Sequence, residues 1–245
     1  MTAQERLIGT AADQVGYMGK RSNAQLDEYK SNTSGKWNKY ARDLDALGDF
    51  YNGKKNGYDW CDVFVDWCFV TTFGRTLGQK LLCQPDKSLG AGTGWSLKYY
   101  QQMGRLFSSP EPGDQIFFGD SKTTWHTGIV SKVENGYVHT IEGNAGNPSA
   151  VRAGRYVIGG KSIKGYGRPD WALVPHEAPD PDPEPEKEVD EMKYYKTLGD
   201  VPEWYRPTVE KLVNAGALQG TGDGLNVSED FCRTMTVLDR MGKLD

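Results

Sequence analysis

The chain has 245 residues, of which 37% are hydrophobic, 11% aromatic and 25% charged, with a formal net charge of −4. This composition, with only four cysteines and no stretch near the ~20 apolar residues of a membrane span, excludes collagen-like, coiled-coil, disulfide-built, membrane-inserted and largely disordered classes. The charge is uneven: residues 177–191 carry −7, residues 192–245 carry −1, and residues 1–176 carry +4, too weak a positive balance to point to nucleic acid.

The opening MTAQERLIGTAADQVGY has acids and no apolar h-region, so no secretory signal peptide is expected. Leu7, Ile8, Ala11, Ala12 and Val15 recur at helical spacing, which predicts a helix over Gln4 to Gly16. Loop-like sequence follows through Asn32, Thr33, Ser34 and Gly35. A second, apolar helix is predicted from Cys61 to Gly74, and a third from Gly94 to Met103 with Thr93 as its N-cap. After Pro110 the pattern shifts to short β-branched and aromatic runs at 115–118, 127–133, 137–142, 155–158 and 165–174. The Glu134-Asn135-Gly136 step between two of them signals a hairpin. Helices followed by a meander of antiparallel strands read as α+β.

The run HEAPDPDPEPEKEVDEM, residues 176–192, alternates proline with acid and reads as an extended, solvated spacer. It divides the chain into a domain at 1–175, a linker at 176–192 and a small unit at 193–245. In the last, Trp204, Val209, Leu212 and Val213 form one apolar stripe. A glycine-rich turn, Gly220 to Gly224, leads to a second helix capped by Ser228 and carrying Phe231, Met235, Leu238 and Met241. About fifty residues bury little surface on their own, so this helical hairpin calls for a partner or for self-association.

Cys61 stands where a Gly- and Asn-containing turn enters an apolar helix. At the first helical turn, unpaired N–H groups and the helix dipole favour a thiolate and are able to hold an oxyanion. The other reading is a small buried hydrophobe. Cys68, seven residues on, reads as core, and Cys83 and Cys232 have no supporting surroundings. A thiol nucleophile needs a base, and there are three histidines. His176 borders the linker. His139 lies inside a strand. His126 opens the strand before the hairpin, so antiparallel pairing brings it beside Glu142–Asn144 at the end of the next strand. A polar neighbour there would fix the imidazole tautomer; a structural histidine is the alternative.

In order and spacing, YDWCDVFVDW, GDQIFF, WHTGIV and IEGN resemble the CHAP domain (cysteine, histidine-dependent amidohydrolase/peptidase) of the papain-like NlpC/P60 superfamily, over roughly residues 5–175. The resemblance implies an α+β papain-like domain with N-terminal helices packed on an antiparallel sheet. It implies Cys61 as nucleophile, His126 as base and then acid, Glu142 as orienter and Asn144 as a supporting polar residue. The implied substrate is peptidoglycan, cleaved as an N-acetylmuramoyl-L-alanine amidase or as an endopeptidase. A bacteriophage or prophage endolysin is implied as well, made in the host cytoplasm and reaching the wall through a holin pore. A non-catalytic wall-binding module and a cysteine protease or effector with another substrate are the competing functions.

Some relatives hold calcium in an Asp-rich loop before the nucleophile. Here the stretch is Asn52-Gly53-Lys54-Lys55-Asn56-Gly57, so neither metal nor cofactor is expected, with Asp49, Asp59 and Asp62 as the nearby acids. Tyr58, Trp60, Trp95 and Trp125 flank the site and either line a groove for sugar or peptide or pack in the core. The C-terminal hairpin resembles a single S-layer-homology-type repeat in which Ser228-Glu229-Asp230 replaces the usual Thr-Arg start. Its role is expected to be wall binding or homo-oligomerisation.

Overall fold

The computed structural model describes residues 1–87, 89–175, 193–220 and 224–244. The chain forms two compact units, Met1–Pro175 and His176–Asp245. The expected linker at 176–192, with His176, lies outside the described residues, as does most of the Gly220–Gly224 turn.

In the first unit α1 spans Ala3–Ala12 and starts in a capping box: the Thr2 hydroxyl accepts from the Glu5 N–H while the Glu5 carboxylate accepts from the Thr2 N–H. α2, Lys39–Asp45, is capped by Asn38. α3, Cys61–Phe73, is buried from Cys61 to Phe69 apart from a half-buried Trp67, and that stretch lies in the main core. α4 (Arg75–Leu81) and α5 (Thr93–Gln102) complete the helical layer. Thr93 is the first helical residue rather than the cap; Gly92 takes the cap position, and the Thr93 hydroxyl donates instead to the Thr124 carbonyl at 2.9 Å.

Six antiparallel strands form the sheet: β1 (Leu106–Phe107), β2 (Gln115–Gly119), β3 (Thr124–Glu134), β4 (Tyr137–Ala145), β5 (Ala150–Val157) and β6 (Ile163–Gly167). The spatial order is β1-β6-β2-β3-β4-β5. It is therefore not the plain meander expected, because β6 crosses back to pair with β2. Nor does the last strand continue to residue 174. Pro169 has no N–H to give a ladder, and Trp171–Leu173 form a single 3-10 turn that lays Trp171 on Phe69 of α3.

The β3–β4 hairpin turns at Asn135 and Gly136, both at positive φ (50° and 79°), as a tight primed turn requires. That turn pairs Glu134 with Tyr137, and a bulge between Val130 and Lys132 then shifts the register by one, so that Ile129 pairs with Ile141, both buried under α3. The second face of the sheet carries a smaller core of Ile116, Phe118, Val130, Val138 and Tyr166. α3 approaches β4 so closely at Gly143 that a Cβ there would overlap the Phe64 side chain.

α3 also buries two carboxylates. Asp62 accepts from Ser96 Oγ (2.8 Å) and Gln115 Nε2 (3.1 Å), and Asp66 from Tyr51 Oη (2.8 Å) and Gln84 Nε2 (2.6 Å). Burial raises both, Asp62 to about 6 and Asp66 well above the ordinary value of 3.8, with Asp62 adding to the rise at Asp66. A carboxyl raised in the native state holds a proton that the unfolded chain has released. Its contribution to stability is therefore greatest at low pH and declines as pH rises from about 4 through 6 and beyond. Asp66→Asn should flatten that decline by up to about 1.4 kcal/mol per pH unit. Urea unfolding of both proteins at pH 4.5 and 7.5 checks this; parallel pH dependences would contradict it.

The second unit pairs α6 (Arg206–Asn214) with α7 (Glu229–Arg240), capped by Ser228 as expected, and adds a two-stranded ribbon of β7 (Tyr194–Tyr195) and β8 (Val227–Ser228). Its core is Tyr195, Val201, Tyr205, Val209, Val227 and Cys232. Two residues expected in the apolar stripes, Trp204 and Met241, are instead exposed (64% and 63%).

Candidate active site

Cys61 is the first residue of α3, and Trp60 at the N-cap makes no side-chain bond to the first turn. The backbone N–H groups of Asp62 and of Thr127 on β3 favour the Cys61 thiolate. A lowered thiol pKa does not follow. Burial, followed by the neighbouring Asp62 carboxylate, pushes Cys61 up to about 12, outweighing those N–H groups. Cys61 is therefore expected to be a thiol at neutral pH. Its alkylation by iodoacetamide should go on accelerating above pH 9, and a plateau between pH 6 and 8 would show a preformed thiolate instead.

His126 on β3 and Glu142 on β4 meet across the hairpin. His126 Nε2 lies 2.8 Å from Glu142 Oε2. Tyr156 of β5 donates to the same oxygen at 3.2 Å, and the Thr140 hydroxyl donates to Glu142 Oε1. Three donors converge on this one buried side chain, the pattern of an acceptor-only carboxylate. With Nε2 engaged, Nδ1 is the ring nitrogen left for the groove. The pocket around Glu142 exists because two neighbours lack side chains. A Cβ on Gly154 would overlap the carboxylate and the Thr140 hydroxyl, and one on Gly128 would stand 2.6 Å from Glu142 Cγ. Burial and the Glu142 charge hold the Tyr156 phenol well above its ordinary value, keeping it a donor.

Cys61, His126 and Glu142 open into one groove of about 710 Å³, shared with Asp59, Phe118, Trp125, Asn144, Arg152, Tyr156 and Ser162 among others. Trp125 is 54% exposed at its wall. Trp60 faces the other way: it is fully buried and packs on Tyr17 and Tyr40, so it belongs to the core and not to the groove. Tyr58 and Trp95 are exposed but are not among the lining residues. Asn144 lines the groove without touching the imidazole; its amide donates to Asp59 Oδ1 at 3.0 Å and accepts from Ser149 Oγ. It braces the rim of the groove through these two bonds. His139 lies 3.4 Å from Glu134, towards the opposite end of the hairpin.

The acids near the thiol are committed elsewhere. Asp49 pairs with Arg75 and Asp59 with Lys36, each at 2.7 Å, while Asp62 is buried on Ser96 and Gln115. Among the described residues no three His, Cys, Asp or Glu side chains gather as a metal site would require.

Sequence reasoning did not find Thr140, Tyr156, Arg152 or the two glycines. A period-two reading of β4 does place Thr140 and Glu142 on one face. The fourth expected run, at 155–158, begins too late to bring in Arg152 and Gly154 of β5, which pair opposite Glu142 and Thr140.

Residues 53–144 match the family model described as the CHAP domain. That segment contains Cys61, His126, Glu142 and Asn144. Helices packed on an antiparallel sheet are the fold that this resemblance implies. No curated protein matched in sequence. Among solved structures, the NlpC/p60 domain of the peptidoglycan hydrolase SagA is similar at 14% identity, over 67% of this chain and 97% of that one, with a TM-score of 0.35.

Proposed function

We propose that the first unit is a cysteine hydrolase that cleaves amide bonds of bacterial peptidoglycan. The observation that carries this reading is the His126–Glu142 pair, which shares a groove with a cysteine at a helix N-terminus inside the segment matched to the CHAP domain. In the proposed reaction His126 Nδ1 takes the Cys61 proton as Sγ attacks the amide carbonyl. First-turn backbone N–H groups stabilise the oxyanion. The imidazolium, held by Glu142, then protonates the leaving amine and a thioester remains. Water, deprotonated by the same imidazole, attacks the thioester, and the thiol is restored. Because burial keeps Cys61 protonated at rest, proton transfer accompanies attack instead of preceding it. Trp125, half-exposed in the groove wall, is proposed to contact the substrate.

Mass spectrometry of fragments released from purified walls tests the reading. A new N-terminal alanine identifies an amidase, and a new amine inside the stem or cross-bridge an endopeptidase; intact walls would refute hydrolysis. The finer assignment, a phage lysin acting on its host wall after holin-dependent release, belongs to the same proposal. It rests on the sequence resemblance.

The second unit has a hydrophobic core of its own and contributes none of the proposed catalytic residues. Deleting residues 177–245 is expected to leave cleavage of soluble fragments within about twofold while lowering lysis of intact cells about tenfold or more, through lost avidity. Light scattering distinguishes assembly from wall anchoring. If both forms are monomers and the tail sediments with walls, anchoring is the mechanism.

A further inference from the structure

One groove residue has no part in the chemistry above. Arg152 on β5 pairs in register with Glu142 and lines the groove. Its guanidinium is clamped by the 145–148 loop: Nε donates to the Ala145 carbonyl and Nη2 to the Pro148 carbonyl, both at 3.0 Å. Gly146 makes this wrap feasible, since it sits at φ +73° and a Cβ there would stand 2.8 Å from Nε. The loop is braced in turn by Asn144, bonded to Asp59 and Ser149. Neither carbonyl bond uses Nη1, and among the described residues no carboxylate pairs with Arg152. The two acids lining the groove are engaged elsewhere, Asp59 by Lys36 and Glu142 by His126, Tyr156 and Thr140. Arg152 is thus the one permanent cation among the lining residues.

We infer that Arg152 is a specificity-determining residue that receives a carboxylate of an acidic peptide lying in the groove, an inference that rests on the peptidoglycan reading above. A guanidinium already fixed by two carbonyls loses little further freedom on binding, and its planar fork matches a carboxylate better than a carboxamide, which brings its own N–H donors. Peptides with a free carboxylate beside the scissile amide are therefore preferred over their amidated counterparts.

The test uses the full chain with Cys61→Ala, so that binding is read without turnover. Two synthetic stem peptides that differ only in one carboxylate versus carboxamide are titrated by calorimetry. The carboxylate peptide should bind about tenfold or more tighter. Adding Arg152→Gln should bring the two affinities within about twofold by weakening the carboxylate peptide alone, and Arg152→Lys should keep part of the preference. Equal affinities without the Arg152 change, no binding of either peptide, or an equal loss for both in Arg152→Gln would overturn the inference; the last would mark Arg152 as a loop clamp only. If Arg152→Gln fails to fold, Arg152→Lys carries the comparison. Wall hydrolysis by the unsubstituted chain, followed in parallel, reports on the hydrolase reading separately.

Discussion

Replacing Cys61 by alanine is expected to lower hydrolysis of purified walls by about three orders of magnitude or more, with little change in unfolding free energy. The size of the loss follows from the role. No other group in the groove is able to form the thioester, and removing one member of a nucleophile–base unit costs nearly as much as removing all of it. The small effect on stability follows from the place. Cys61 is at the start of α3, on the groove, and helix N-termini tolerate alanine where the native side chain does not cap. Cys68 is the contrasting control. It lies deeper in α3, fully buried in the main core. Cys68→Ser puts a hydroxyl there, at a cost of about 1–3 kcal/mol, and should leave kcat of the folded fraction largely intact. Measuring release of soluble wall fragments alongside urea unfolding separates the two effects. Retention of a tenth of the activity by Cys61→Ala, with none in folded Cys68→Ser, would reverse the assignment.

What the sequence made legible here was local. The entry to α3 shows in the glycine turn before Cys61 and the apolar run after it. The β3–β4 hairpin shows in Asn135-Gly136, but the pairing that the turn sets, Glu134 with Tyr137 through Lys132 with His139, is shifted by one at an irregularity between Val130 and Lys132, and only that shift puts His126 on the face of Glu142. What escaped depended on contacts remote in the chain. α2 and α4 are seven residues each, too short to display a helical period. β6 joins the sheet beside β2, a pairing between segments about fifty residues apart in the chain, with Gly167 against the Tyr100 ring of α5. Trp60 and Trp125 look alike as aromatic neighbours of a candidate residue. Tyr17 and Tyr40, distant in sequence, draw one into the core, while the other stays on the groove wall. The thiol of Cys61 makes the same point in energetic terms. A helix N-terminus is a local feature, but the burial that overrides it comes from the whole site.

Glu142 is where the geometry makes its most demanding claim. Glu142→Gln keeps the volume that Gly128 and Gly154 allow, but presents one acceptor oxygen and one amide in place of two acceptors. The Thr140 and Tyr156 hydroxyls are able to rotate and accept from the new amide, so their bonds survive in altered form. His126 has no such freedom. If the amide nitrogen faces Nε2, the imidazole is driven to the tautomer that protonates Nδ1 and can no longer take the Cys61 proton. If the oxygen faces it, the tautomer is kept but the imidazolium loses its counter-charge. Either way kcat should fall by about two to three orders of magnitude, with KM changed no more than about threefold. Glu142→Ala should behave differently, because it strands three polar groups around a new cavity. A stability loss of about 3 kcal/mol or more is expected there in addition to inactivity. Steady-state kinetics and denaturant unfolding of both variants, each compared with His126→Ala, test this. Glu142→Gln within tenfold of the parent kcat would mean that the buried carboxylate holds the sheet together rather than orienting the base.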